Sequence, residues 1–146
     1  MRRMMTLDLV TAAFGAVLVL SLSMLWTMKD GAVSSPLIMG EVSGSVRYVV
    51  DGDSLYINGY EPQIRLWGVD APEDDETGFK DATETLKRLA LKKAITCQSV
   101  ETDKYGRTVA RCFLKDGREV NAEMITSGTA IEYHHFSKGF YTNRTD

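Results

Sequence analysis

Five short runs of alternating apolar residues, a stretch of helical periodicity between the third and fourth runs, and a twenty-residue uncharged segment near the N-terminus set the expected architecture. They predict an α+β chain, mainly β with helices, led by one N-terminal hydrophobic helix. At 146 residues the chain has room for one modest domain with a real core beside that leading segment. It contains no internal repeat and no low-complexity tract.

The leading segment occupies residues 1–30. Arg2 and Arg3 precede LVTAAFGAVLVLSLSMLWTM, residues 9–28, which carries no charge. Twenty residues at a helical rise of about 1.5 Å reach about 30 Å, the thickness of a bilayer's hydrocarbon core. A signal peptide usually has a shorter apolar region, about 7–15 residues, ending in a small-residue cleavage site. No A-x-A follows Met28, so an uncleaved membrane anchor is expected, with a cleaved signal as the alternative. Arg2 and Arg3 outweigh Asp8 on one flank, while Lys29 and Asp30 cancel on the other. The positive-inside rule then keeps the N-terminus cytoplasmic and exports the rest. The expected location is the inner or plasma membrane with a periplasmic or extracellular domain, or a secreted protein if the signal is cut. Residues 31–44, GAVSSPLIMGEVSG, read as a linker onto a domain over 45–146.

Within that domain SVRYVV and SLYIN flank DGD, a turn between two strands. NGYEP (58–62) reads as a second turn, and the strand IRLWGV follows and ends near Pro72, which cannot donate to a sheet ladder. After the polar loop EDDETG (73–78) the period changes. Phe79, Ala82, Leu86, Leu89 and Ala90 recur at helical spacing, predicting an amphipathic helix. ITCQSVET and TVARCFL then form a hairpin around DKYGR (103–107). A short helix is expected over 121–127, stopped by Gly128. TAIEYHHF (129–136) reads as a final extended piece. Five strands with a helix between the third and fourth suggest a five-stranded, closed OB-type β-barrel.

If the hairpin centres between Lys104 and Tyr105, residues whose numbers sum to 209 face each other. Cys97 then opposes Cys112, Ile95 opposes Leu114, and Ser99 opposes Ala110. Opposed Cα atoms lie about 4.5–5.5 Å apart, within disulfide range. A disulfide would suit an exported domain, and two packed core thiols fit the same register.

Charge gives less guidance. Removing Arg2, Arg3, Lys29, Asp8 and Asp30 from 17 basic and 20 acidic residues leaves 14 against 18, or −4, for the exported part. That balance offers no general attraction to a polyanion. Local clusters are more informative: Asp51 and Asp53 in the first turn, Arg65, Asp70 and Glu73 around the third strand, and Arg107 in the hairpin. Asp favours turns for local reasons, so none of these signifies much alone. Together they supply carboxylate oxygens for a hard cation, two guanidinium groups for a phosphate, and a carboxylate to activate water. That set serves phosphodiester hydrolysis. Asp74, Asp75 and Glu76 are expected to be a solvated loop. His134 and His135 lack metal-ligand spacing and read as surface residues.

DGDS, RLWGVDAPE and DKYGR, in that order around a helix of suitable length, resemble the motifs of the staphylococcal nuclease (thermonuclease) family. The resemblance runs over roughly residues 45–133. It implies calcium ligands at Asp53, Asp70 and the Ala71 carbonyl, where the family usually has Thr, with Asp51 as a carboxylate behind them. It implies phosphate-binding arginines at Arg65 and Arg107, and a general-base or water-orienting carboxylate at Glu73. Lys104 and Tyr105 match positions that contact nucleotide phosphate, and Tyr133 lies near a tyrosine that stacks on a base. The implied activity is that of a calcium-dependent nuclease, expected to be an endonuclease acting on DNA or RNA and leaving a 3′-phosphate. The implied fold is an OB barrel with helices. A non-catalytic nucleic-acid or protein-binding OB module tethered to the membrane is the alternative, since fold alone does not imply activity. Expected partners are the nucleic acid and, through the N-terminal helix, the membrane; a monomer is assumed. Arg65 and Asp70 fall on opposite faces of a regular strand, so a shared site needs a bend near Gly68.

Overall fold

A computed structural model describes residues 36–143. The chain runs β1 (Gly40–Val49), β2 (Ser54–Ile57), β3 (Tyr60–Leu66), β4 (Val69–Asp70), α1 (Phe79–Ala90), β5 (Ala94–Thr102), β6 (Thr108–Leu114), α2 (Val120–Thr126), β7 (Ile131–Glu132) and α3 (His134–Ser137). Five strands close a barrel in the order β1-β2-β3-β6-β5, and β4 pairs with β7 in a separate two-stranded sheet. Only β3 and β6 run parallel; the other barrel pairs are antiparallel. The expected N-terminal helix of residues 9–28 lies outside the described residues. Among those described, no helix is long and apolar enough to cross a membrane.

Alternation on the strands builds the interior. Val46, Leu55, Ile57, Ile64 and Leu66 are buried in one cluster with Ala82, Leu86 and Ala90 of α1 and Val120 and Met124 of α2. The helices thus turn their apolar stripes into the core shared with the strands, as the 3.6-residue period requires. Asn121, a fully buried polar residue on α2, fastens that helix to the barrel. Its amide nitrogen donates to the carbonyls of Trp67 (2.9 Å) and Ala110 (3.1 Å), and its oxygen accepts from the Cys112 amide (2.9 Å). All its polar atoms are thereby engaged. Trp67, Val109 and Phe140 form a second buried cluster, where the C-terminal turn meets the barrel.

The β5–β6 register pairs Ile95 with Leu114, Cys97 with Cys112 and Ser99 with Ala110, and the two cysteines are joined by a disulfide. Three local expectations need correction. β1 begins at Gly40, inside the expected linker, because residues 40–45 complete the barrel by pairing with β5. Sheet pairing there overrides the low strand propensity of Gly and Ser. The second turn is only Asn58–Gly59, and Tyr60, Glu61 and Pro62 already belong to β3. Pro62 sits in the irregular part of the β2–β3 ladder, between the Ile57–Tyr60 and Leu55–Ile64 pairs, so its missing donor is tolerated. Finally, TAIEYHHF does not stay extended. It pairs only at Ile131 and Glu132, then turns into α3, as the Tyr133 amide donates to the Gly68 carbonyl at 2.8 Å.

Candidate active site

Two glycines shape the site. A Cβ on Gly52 would lie 2.6 Å from the Cβ atoms of both Ala71 and Ala82, so only glycine lets the first turn pack against α1 and the strand exit. This close approach brings Asp53 beside Ala71. Gly68 adopts a left-handed φ of 69° and separates β3 from β4. A break therefore stands where the sequence asks for a bend, and β4 beyond it starts a new two-residue alternation, yet Arg65 and Asp70 line different cavities.

Asp53 is the hub. It is 6% exposed, its Oδ1 accepts the Ser54 hydroxyl at 2.9 Å, and its Oδ2 accepts the Ala71 amide at 3.2 Å. Oδ2 also pairs with Arg65 Nη2 at 3.0 Å. Asp51 Oδ1 accepts the Asp53 amide at 3.0 Å and so holds the turn. Burial pushes the Asp53 carboxyl up to about 7 despite the Arg65 guanidinium, and the neighbouring Asp51 adds to that rise. Arg65 is braced in turn: its Nη1 donates to the carbonyls of Val69 (2.8 Å) and Leu66 (3.1 Å). A guanidinium fixed on three sides presents its charge in one orientation.

Arg107 is held by the hairpin. Its Nε donates to Asp103 Oδ2 at 2.7 Å, while Asp103 Oδ1 accepts the amides of Tyr105 and Arg107, each at 2.9 Å. Burial would raise the Asp103 carboxyl, but these hydrogen bonds and the Arg107 charge hold it below its ordinary value. The contact uses Nε, and a guanidinium has further donors on its terminal nitrogens for a phosphate. Arg65 and Arg107 line one cavity of about 120 Å³, with Trp67, Asp103, Tyr133 and Phe136 among its walls.

Asp70, Ala71 and Glu73 line a second cleft of about 420 Å³, together with Glu76 and Ile131. β4 lies between the two, Val69 lining the first and Asp70 the second. The structure therefore joins Asp53, Arg65 and Ala71 by direct contact, and gathers Asp70, Ala71 and Glu73 on one cleft. Glu73 is not in the arginine cavity. It is exposed, and its amide donates to Glu76 Oε2 at 2.9 Å, which shapes the loop. Asp74, Asp75 and Glu76 are exposed, as are His134 and His135. Lys104 and Tyr105 stand at the hairpin tip, the ammonium 4.9 Å from the ring centroid, and Tyr105 is 72% exposed. Neither lines the arginine cavity, whereas Tyr133 does.

Among the described residues no group of three or more His, Cys, Asp or Glu is placed to hold a metal ion. The donor set expected here is smaller in carboxylates: Asp53, Asp70 and the Ala71 carbonyl. Oxygen-only donors of this kind fit a hard cation such as Ca²⁺. Asp53 Oδ1 has a second lone-pair site beyond the one the Ser54 hydroxyl uses.

Sequence reasoning passed over Asp103, Phe136 and Asn121. Asp103 had a signal, because an Asp two residues before a turn amide is a recurring way to close a loop. Phe136 and Asn121 had none: Phe136 shares its cavity with Arg65 and Arg107, and Asn121 bonds to the Trp67 carbonyl, all far off in sequence.

A family model described as "Staphylococcal nuclease homologue" matches residues 63–145. The chain is 34% identical over 144 residues to "Succinoglycan biosynthesis protein ExoI" of Rhizobium meliloti (strain 1021), covering 91% of this chain and 69% of that one. It is 30% identical over 106 residues to an "Uncharacterized endonuclease" of Escherichia coli O157:H7, covering 71% and 69% respectively. It is 28% identical over 105 residues to a "Micrococcal nuclease" of Shigella flexneri, covering 65% and 60%.

Proposed function

This chain belongs to the staphylococcal nuclease family, and from that premise we propose that it is a calcium-dependent phosphodiesterase cleaving DNA or RNA within the strand. That it is a nuclease follows from the family and from relatives named for that activity. The observation that carries the finer proposal is the pair Arg65 and Arg107 on one small cavity, each held by a carboxylate.

In that cavity the two guanidinium groups bind the non-bridging oxygens of one phosphate and neutralise charge as the phosphorus becomes five-coordinate. Arg65 is oriented before substrate arrives, so no ordering cost falls on the transition state. Asp53, Asp70 and the Ala71 carbonyl hold Ca²⁺, with Asp51 behind them. When bound, the cation adds electrostatic stabilisation of the phosphate. The resemblance gives Glu73, on the cleft across β4, the role of orienting and deprotonating the attacking water. As the water oxygen bonds to phosphorus the P–O5′ bond breaks, and the 5′-oxygen leaves with a proton taken from solvent. Lys104 and Tyr105 at the hairpin tip meet a flanking phosphate. The family resemblance implies 3′-phosphate products.

The test is cleavage of single-stranded DNA and RNA by the protein with Ca²⁺, with chelator, and as Glu73→Ser. Calcium-dependent cleavage that falls at least about a hundredfold in the variant is expected for loss of a general base. Cleavage indifferent to chelator, or to Glu73→Ser, would overturn the proposal.

The location proposed is an exported domain held at the inner or plasma membrane, or secreted. The disulfide between Cys97 and Cys112 supports it, since such bonds persist in oxidising compartments. The charge bias around residues 9–28 supports it as well.

A further inference from the structure

Glu132 ends β7 with a side chain 1% exposed, and a short strand has no need of a buried carboxylate. Its oxygens are fully employed by a single stretch of chain. Oε1 accepts the Ser137 hydroxyl and the Tyr141 amide (2.9 Å). Oε2 accepts the Thr142 amide (2.9 Å) and stands 3.7 Å from His134 Nε2. The donors come from both ends of residues 134–142, so one carboxylate ties α3 and the turn after it into a closed loop.

That loop reaches the candidate active site at two points. Phe136, between the tied residues, lines the cavity shared by Arg65 and Arg107, and it packs edge-on against Tyr133 with ring centroids 5.0 Å apart. The other end lies on the bend joining β3 to β4. A Cβ on Gly68 would meet Tyr141 Cε2 at 3.0 Å and Ser137 Cβ at 3.1 Å, and Trp67 packs on Phe140 with ring centroids 5.4 Å apart. Phe136 itself is 49% exposed, so core burial alone does not fix its place.

We propose that Glu132 is a positioning residue for substrate: by tying residues 134–142 together it holds Phe136 in the wall of the arginine cavity, where the ring meets the nucleoside next to the bound phosphate. The proposal rests on the nuclease reading above. Phe136 contacts the nucleoside in the ground state and the transition state alike, so losing its placement raises KM and leaves kcat nearly unchanged.

The experiment measures kcat, KM and the affinity of a short fluorescent single-stranded oligonucleotide under chelation for the full chain and three variants. Glu132→Gln sets an amide donor against one of the donors it now accepts. Ser137→Ala removes one donor and keeps the carboxylate, which carries the test if the first variant fails to fold. Phe136→Ala removes the wall and keeps the tie. KM and the dissociation constant should rise about tenfold in Glu132→Gln and Phe136→Ala, less in Ser137→Ala, with kcat within about twofold. Trypsin should nick after Lys138 faster in Glu132→Gln and not in Phe136→Ala. Variants of an active wild type that melt earlier but keep KM would overturn the role of Glu132 alone. A wild type that binds the oligonucleotide without cutting it would overturn the nuclease reading, while the affinity arm still decides for or against Glu132. One that neither binds nor cuts would overturn both.

Discussion

Arg65 makes a buried ion pair to Asp53 and two hydrogen bonds to carbonyls at the end of β3 and in β4. Removing either partner would strand a charge in a poorly hydrated place, a far larger loss than breaking a surface pair. The same logic applies to Asn121. Asn121→Ala leaves the Cys112 amide and two carbonyls without its side chain, and should cost about 3 kcal/mol by urea unfolding. Glu132 adds a pH dependence. Burial would raise its carboxyl, but the bonds from Ser137, Tyr141 and Thr142 outweigh burial and hold it below its ordinary value of 4.5. A group depressed on folding stabilises the protein above its unfolded pKa, and that contribution is lost as pH falls through the folded value. The urea midpoints of wild type and Glu132→Gln should therefore lie well apart at pH 7 and converge as pH falls from 4.5 through the lower folded value. A constant gap would show that the carboxylate charge is not what stabilises the turn.

Elements differ in how openly the sequence declares them. The β5–β6 hairpin is easily read because its alternating apolar residues and its short turn specify the same register, and Cys97 opposes Cys112 as the numbering requires. The disulfide closes a separation of 15 residues. Loop-closure entropy alone gives such a bridge about 3 kcal/mol. Cys97→Ala/Cys112→Ala should lower unfolding free energy by about that amount, plus a cavity contribution from the lost sulfurs. A change below about 0.5 kcal/mol would mean that the bond constrains little in the unfolded chain. α1 was equally plain from its period, and it occupies Phe79–Ala90. β1 was half hidden, because Gly40, Ser43 and Gly44 gain their strand geometry from β5 and not from propensity. α3 was hidden altogether. Its start depends on the Gly68 carbonyl, which no local window contains, and its closure on Glu132, whose hydrogen bond to Ser137 five residues on no helix or strand period signals.

Across the whole molecule the motifs exposed the site because each marks a place where the backbone does something unusual. DGD needs a glycine that fits between Ala71 and Ala82, and RLWGVD needs the left-handed bend at Gly68. What stayed illegible is the packing that makes the walls: Trp67, Val109 and Phe136 come from segments far apart in sequence. The net charge of −3 shows why this local arrangement matters, since the molecule as a whole does not attract a polyanion. Binding must then depend on a few placed cations in the cavity. The most direct measurement is kcat/KM of Arg107→Ala on a single-stranded oligonucleotide with Ca²⁺. Arg107 is partly exposed and held only within its hairpin, so the barrel should fold without it. Loss of a guanidinium that binds the reacting phosphate should lower kcat/KM at least about a hundredfold. A value within about threefold of wild type would contradict the placement of the phosphate between Arg65 and Arg107.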